Sequence, residues 1–199
     1  MKVISGTLKG RNIEGYNIDG TRPTMDRVKE SLFASIQDYI KDSVVLDLFA
    51  GSGGLGIEAI SNGSKLCYFI DNNNEVIKVL NKNITNLNIK DNSRVILSDW
   101  KKFLNECSNN NLKFDLIFVD PPYAYDVYEK ILEKVTNLNL LNDNGLIILE
   151  HSNLKLKEKY NNLTLYKEKK YGNKSVYIYK NWLTVFFWYV IIYLNRGGK

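Results

Sequence analysis

Apolar residues recur along this chain with two periods, and the change of period divides it. Between Thr24 and Ile40, the residues Val28, Leu32, Ile36 and Ile40 fall every fourth position, with Phe33 and Tyr39 broadening the stripe. That is one face of an amphipathic helix, with Thr24 placed as its cap and Asp26 in the first turn, where the helix dipole favours a negative charge. Before it, Met1–Tyr16 carries short apolar runs broken by Gly6, Gly10 and Gly15, which predicts a small β-hairpin. From Val44 onward, short apolar runs alternate with helix-period segments. Strands are predicted at Val44–Phe49, Leu66–Ile70, Arg94–Ser98, Phe114–Val119 and Leu146–Glu150. Helices are predicted from a glycine turn to about Asn62, over Glu75–Leu87, near Trp100–Cys107 and over Val127–Leu138. Such alternation specifies an α/β fold with a doubly wound, mostly parallel sheet. The end differs: Leu163–Lys167 and Ser175–Tyr179 flank Tyr171-Gly172-Asn173, the pattern of an antiparallel hairpin. Three parts follow: an extension over 1–41, the alternating domain over 42–180 and an apolar tail over 181–199.

Composition narrows the class. With 199 residues, 44% hydrophobic and 25% charged, the chain suits one ordinary globular domain and not a disordered segment. Cys67 and Cys107 lack both metal-ligand spacing and a disulfide framework, so no metal is expected and a reducing cytoplasm is the expected location. No charged-then-apolar leader opens the sequence, which agrees with that location. Charge is unevenly placed. Eight lysines between Lys155 and Lys180 face only Glu158 and Glu168, a surplus of +6 against +5 for the whole chain, so the remainder sums to −1. A basic segment on a neutral body suits a phosphate-rich partner, with Lys169 and Lys170 as candidate contacts; a solvated lysine-rich face is the plain alternative.

The first chemical signature is Asp47-Leu48-Phe49-Ala50-Gly51-Ser52-Gly53, which with Gly56 satisfies G-x-G-x-x-G after a strand and before a helix. Glycines there permit a sharp turn and a close approach of ligand to backbone. Asp71, with Asn72 beside it, ends the next strand 20 residues after Gly51, where a carboxylate can accept from both hydroxyls of a ribose. Asp99 ends the third strand within reach of an adenine amine, and Trp100 offers an apolar wall. A ligand-free turn and a nicotinamide dinucleotide site both remain open on this spacing. Asp47, placed to hold the amino acid end of S-adenosylmethionine, favours that cofactor, and no constellation for hydride transfer follows.

The second signature is Asp120-Pro121-Pro122-Tyr123, ending the fourth predicted strand. The prolines fix φ and stiffen the turn. An exocyclic amine on a nucleobase is a poor nucleophile because its lone pair is delocalised into the ring. The Asp120 carboxylate and Pro121 carbonyl can accept its two N–H bonds and localise that pair, while Tyr123 stacks on the base. Orientation and desolvation then supply most of the rate. A proline-rich loop closing a strand is the bland alternative.

These residues resemble the bacterial RsmD-type family, which methylates N2 of a guanine in small-subunit (16S) ribosomal RNA. The resemblance runs from about Lys2 to Tyr179. It includes Arg22-Pro23-Thr24-Met25-Asp26-Arg27-Val28-Lys29-Glu30-Ser31-Leu32-Phe33, the early Gly6-Thr7-Leu8-Lys9-Gly10-Arg11 and the late Tyr171-Gly172. Gly54 stands where the family more usually has alanine. The resemblance implies a Rossmann-like, S-adenosylmethionine-dependent methyltransferase with a seven-stranded sheet. It implies catalysis by Asp120, Pro121, Pro122 and Tyr123, and an N-terminal extension that positions RNA. Lys9 and Arg11 would lie on that extension, with Arg22, Thr24 and Arg27 near the cofactor and RNA entrance. The implied partner is ribosomal RNA or a small-subunit assembly intermediate.

Two rival functions remain at this point. One is an adenine-N6 or cytosine-N4 methyltransferase on DNA or RNA, disfavoured by the long Arg22–Phe33 match and by the lack of room for a target-recognition domain. The other is a cofactor-holding RNA assembly factor without catalysis, disfavoured by the intact Asp120 and Tyr123. The apolar run Trp182–Leu194 departs from the family. It is too short to span a bilayer comfortably, so a membrane role is not expected. A packed segment, a dimer contact, an interfacial anchor and a terminus without a selected role are its open readings, and oligomeric state stays open with it.

Overall fold

A computed structural model of the chain describes residues 1–15, 23–122, 127–152, 156–172 and 174–182, with backbone alone at 23–25 and 152. Five parallel strands form the centre: β1 (Val44–Asp47), β2 (Leu66–Asp71), β3 (Ser93–Leu97), β4 (Phe114–Val119) and β5 (Leu141–Ser152). Antiparallel β6 (Lys159–Tyr160), β7 (Leu163–Tyr171) and β8 (Lys174–Asn181) complete an eight-stranded sheet in the order β3-β2-β1-β4-β5-β8-β7-β6. The seven strands implied by the resemblance become eight because two-residue β6 pairs with the start of β7 through Lys159–Thr164 and Tyr160–Leu163.

The continuous apolar runs are explained by burial on both faces. Val45, Phe69, Leu116, Phe118 and Ile148 face one layer, which contains α1 (Pro23–Ile36), α2 (Gly54–Ser61) and α3 (Asn74–Leu87). Their neighbours Leu46, Ile70, Ile117, Val119 and Leu149 face α4 (Trp100–Asn109) and α5 (Tyr128–Asn137). The period of two along each strand thus divides one chain between two cores. Strand order reverses between β1 and β4, so the carboxyl ends of those strands open the crevice where such sheets take ligands. Among the described residues no helix is long and apolar enough to cross a membrane.

Two local expectations are corrected. The N-terminal segment is not a β-hairpin ladder: it has one isolated bridge, Lys2–Asn12, around a 3-10 turn at Gly6–Leu8. The segment does fold back antiparallel, with Val3 N–H donating to the Arg11 carbonyl at 3.0 Å and Gly10 N–H and Ile13 N–H to those of Val3 and Met1 at 2.9 Å, while other amides are taken by α2. Ile4 N–H and Ser5 N–H donate to the Glu58 carboxylate at 3.0 and 2.7 Å, and Leu8 N–H to Ser61 Oγ at 2.9 Å. Glu58 is fully buried and also pairs with Lys29 of α1 at 2.9 Å, so one carboxylate ties the segment, α1 and α2 together. The second correction concerns α1. The helix starts at Pro23, whose missing N–H costs nothing at a first position, so Thr24 lies within it and is not its cap. It tightens into a 3-10 turn at Gln37–Tyr39 before the expected end, although Ile40 stays buried.

Candidate active site

A cavity of about 520 Å³ lies at the carboxyl ends of β1, β2, β4 and β5, with the first turns of α1 against it. Its floor begins with the turn after β1. Gly51 and Gly53 sit at φ +53° and +90°, in the left-handed region that side chains disfavour, and this sharp reversal aims the start of α2 at the cavity. Backbone amides hold the acids in place. Gly51 N–H donates to Asp71 Oδ2 at 3.1 Å and Asn73 N–H to Asp71 Oδ1 at 2.9 Å. Gly56 N–H donates to Asp47 Oδ2 at 2.9 Å. Asn83, buried on α3, donates to the Ser52 carbonyl at 3.0 Å and steadies the turn from behind.

The opposite side of the cavity is built from charges. Asp120 follows β4 with its carboxylate open to the cavity. Glu150, near the end of β5, forms an ion pair with Lys174 at the start of β8. Burial is the main cause that pushes the Asp120 carboxyl up to about 7; the charge of Glu150 adds to the rise and Lys174 opposes it. Asp120 is exposed by its own surface and lines this recess. Asp47, only 2% exposed, is likewise raised to about 7, chiefly by burial, with the Gly56 N–H opposing and the charge of Asp71 adding. Two carboxyls poised near neutrality in one recess are the mark of a functional site more than of a structural one.

Most of the residues singled out by sequence meet here. Asp47, Phe49, Ala50, Gly51, Ser52, Asp71, Asn72, Trp100, Asp120, Pro121 and Pro122 all line the cavity. Gly53 and Gly56 stand behind the wall. Gly56 is there for packing, since a Cβ on it would fall 2.3 Å from a ring carbon of Phe69 and 2.7 Å from Cys67 Sγ. Asp99 is not at the wall: its Oδ1 caps α4, accepting from Lys101 N–H at 2.8 Å and Lys102 N–H at 3.4 Å. Of the candidate RNA contacts, Lys9 and Arg27 are exposed, and Arg11 donates to the Asn86 carbonyl at 2.8 Å. Lys170 is exposed and lies 3.6 Å from Glu168. Lys169 is turned inward, donating to Ser31 Oγ at 3.0 Å, where Tyr171 also donates at 2.7 Å. Arg22, Tyr123 and the tail beyond Trp182 lie outside the described residues, as does the side chain of Thr24.

The wall also holds Asp26 and Lys29 of α1, which the Arg22–Phe33 signature contains without assigning them a site role, and Ser98, Glu150 and Lys174, which no motif marked. Glu150 carried the same signal that exposed Asp71 and Asp120, an acid at the end of an apolar strand. Lys174 carried none, because its place depends on the pairing of β8 with β5.

The family model described as "Conserved hypothetical protein 95" matches residues 1–180. "Ribosomal RNA small subunit methyltransferase D" of Haemophilus influenzae is 37% identical over 182 residues, covering 91% of this chain and 94% of its own. "Putative rRNA methyltransferase YlbH" of Bacillus subtilis is 37% identical over 181 residues, covering 90% and 98%. The solved structure described as "Putative methyltransferase yhhF from Escherichia coli" superposes with a TM-score of 0.81 at 32% identity, covering 92% of this chain and 98% of that one. The family match over residues 1–180 and the 37% identity to relatives over nine tenths of the length place the chain in the conserved hypothetical protein 95 family, that of the ribosomal RNA small subunit methyltransferase D proteins.

Proposed function

We propose that this protein is an S-adenosylmethionine-dependent methyltransferase acting on the exocyclic N2 amine of a guanine in 16S ribosomal RNA. The observation that carries this reading is the placement of Asp120 and Pro121 in one cavity with the Asp47–Asp71 turn. Family membership supports it, because relatives bearing the small-subunit methyltransferase name align along nearly the whole chain.

The donor set fits the cofactor. Asp71 offers carboxylate lone pairs to a ribose, Trp100 and Val76 supply apolar wall for a purine, and Asp47 faces the same space with a carboxylate for an ammonium group. When bound, S-adenosylmethionine supplies an electrophilic methyl on a sulfonium leaving group. The work of the chain is on the other reactant. Asp120 in its ionised form accepts one N–H of the amine and the Pro121 carbonyl the other, which turns the nitrogen lone pair out of the ring. Pro121 and Pro122 hold this edge rigid, so the geometry exists before the base arrives. A carboxylate with a pKa near 7 can also take up the proton that the methylated amine sheds. Tyr123 follows the prolines and is assigned stacking on the base.

Arg22, Thr24 and Arg27 are assigned to the RNA entrance with Lys9, Arg11 and Lys170. Lys169 serves instead to lock β7 onto α1. The substrate is a small ribosomal subunit or its assembly intermediate, and the cytoplasm is the site of action. Transfer of label from methyl-labelled S-adenosylmethionine to small subunits from cells lacking the gene tests the reading. Labelled N2-methylguanosine is expected after nucleoside digestion. Label confined to methyladenosine or methylcytidine would overturn the base, and no label despite cofactor binding would overturn the activity.

A further inference from the structure

The charged side of the cavity has an order that matches one base edge. Strands β4, β5 and β8 are neighbours in the sheet, and at their cavity ends they present Asp120, Glu150 and Lys174. Register makes the first two adjacent, since Val119 pairs with Leu149 and the next residues are Asp120 and Glu150. Across the antiparallel pair, Glu150 lies opposite Val176 and Ser152 opposite Lys174, so the Lys174 side chain comes back diagonally to the Glu150 carboxylate. The period of two sets their face. Phe118, Ile148 and Val176 all enter the core beneath α1, and Asp120, Glu150 and Lys174 are each two residues from one of them. The recess therefore shows, in sequence across the sheet, an acceptor, an acceptor and a donor.

The Watson–Crick edge of guanine shows the complement in the same order: the N2 amine donates, N1–H donates and O6 accepts. Resting on the guanine reading above, we propose that Glu150 and Lys174 read the target base, Glu150 accepting from N1–H and Lys174 donating to O6 while Asp120 holds the N2 amine. The pair thereby sets base choice. Adenine would bring an amine to Asp120 but turn its N1 lone pair on the Glu150 carboxylate, and cytosine would do the same with N3. Buried polar groups left facing a mismatched edge reject it strongly.

Two features favour reading over simple bracing. Glu150 and Lys174 are 17% and 20% exposed, buried enough to be selective and open enough to the cavity to be reached. The chain also fixes the strand end beneath them: Tyr128, itself buried, donates to the Glu150 carbonyl at 2.9 Å and leaves the carboxylate to face the recess. A salt bridge needed only for bracing would be served as well by an apolar pair, which avoids the desolvation cost.

The test begins with wild-type protein and mapping of the methylated guanine in small subunits. Subunits are then reconstituted with 2,6-diaminopurine riboside at that position. This base keeps the N2 amine but presents an N1 acceptor and a 6-amine donor. Wild type is expected to prefer guanosine in kcat/KM by about 100-fold or more. Glu150→Gln, whose amide can donate to N1, and Lys174→Met, which no longer opposes a 6-amine, are each expected to narrow that preference to roughly tenfold or less. Cofactor affinity serves as the structural control and should stay near wild type, with turnover measured well below the melting temperature of each variant, which loss of one partner of the pair lowers. A variant that folds, binds cofactor and keeps the full preference for guanosine overturns the proposal. Failure of wild type to methylate N2 of any guanine overturns the function beneath it, and that result is seen before a variant is made.

Discussion

The two sides of the cavity are built by different means. The side proposed to hold the cofactor is made from neighbours in sequence, Asp47 to Gly56 with Asp71, and its acids are fixed by backbone amides of Gly51, Gly56 and Asn73. The side proposed to hold the base is made from the ends of β4, β5 and β8, and Asp120, Glu150 and Lys174 act on one another through their charges. Backbone amides fix the acids of the first side in place. Mutually acting charges make the base side responsive to the loss of any one member, and Asp47 and Asp120 give each side a carboxyl near neutrality.

That contrast can be broken in order of effect. Asp71→Ala removes the carboxylate proposed for the ribose and unties Gly51, so cofactor affinity measured by calorimetry should fall by about 100-fold, the loss expected for two charge-assisted bonds. The ratio of guanosine to 2,6-diaminopurine turnover should not move. Should base preference collapse together with cofactor affinity, the two sides are not separable.

A smaller effect should appear in the pH profile of kcat/KM. In the proposed reaction Asp120 accepts an N–H most strongly when ionised and takes up a proton only in that form, and burial holds its carboxyl near 7. Turnover should therefore rise about tenfold per unit below pH 7 and level off above it. Glu150→Gln removes a negative neighbour that raises this value, so the midpoint should move to lower pH. A midpoint that stays in place or rises would contradict the assigned coupling.

A third effect is on stability. Asp47 titrates near 3.8 ordinarily and near 7 when folded, so protonated Asp47 favours the folded state. Its contribution is fully present below about pH 4, is lost as pH rises and is gone above about 7. Asp47→Asn, with an amide oxygen that can still accept from Gly56 N–H, should lack this loss. Without cofactor, its melting temperature relative to wild type should climb between pH 4 and 7. A flat difference across that window would mean that Asp47 is not desolvated as described.

The sequence was most informative where local pattern and burial agree. Phe114–Val119 matches β4 residue for residue, because a strand buried on both faces reads as an unbroken apolar run ended by an acid. The glycine turn and Asp120-Pro121-Pro122 were legible for the same reason, being local. Features that depend on distant partners were not. The expected N-terminal hairpin is reduced to a single antiparallel bridge, and its Ile4 and Ser5 amides bond instead to Glu58, more than fifty positions away. The lysine-rich stretch looked uniform, yet Lys169 bonds to Ser31, and Lys180 is 9% exposed with its ammonium 4.3 Å from the Trp182 ring and 5.2 Å from that of Tyr39. Charge composition counts such residues as surface, whereas the strand period turns them inward. The Glu150–Lys174 pair needed the β5–β8 register, which no spacing within the chain reveals.

The central claim is that Asp120 orients the amine and does not hold the cofactor. Its most direct test is Asp120→Ala, with methyl transfer to small ribosomal subunits and calorimetric binding of S-adenosylmethionine measured on the same preparation. Transfer should fall by roughly 1,000-fold, as when a preorganised polar contact to the reacting group is removed, while cofactor affinity stays within a few-fold of wild type. Undiminished transfer, or a loss of transfer matched by an equal loss of cofactor affinity, would contradict the account.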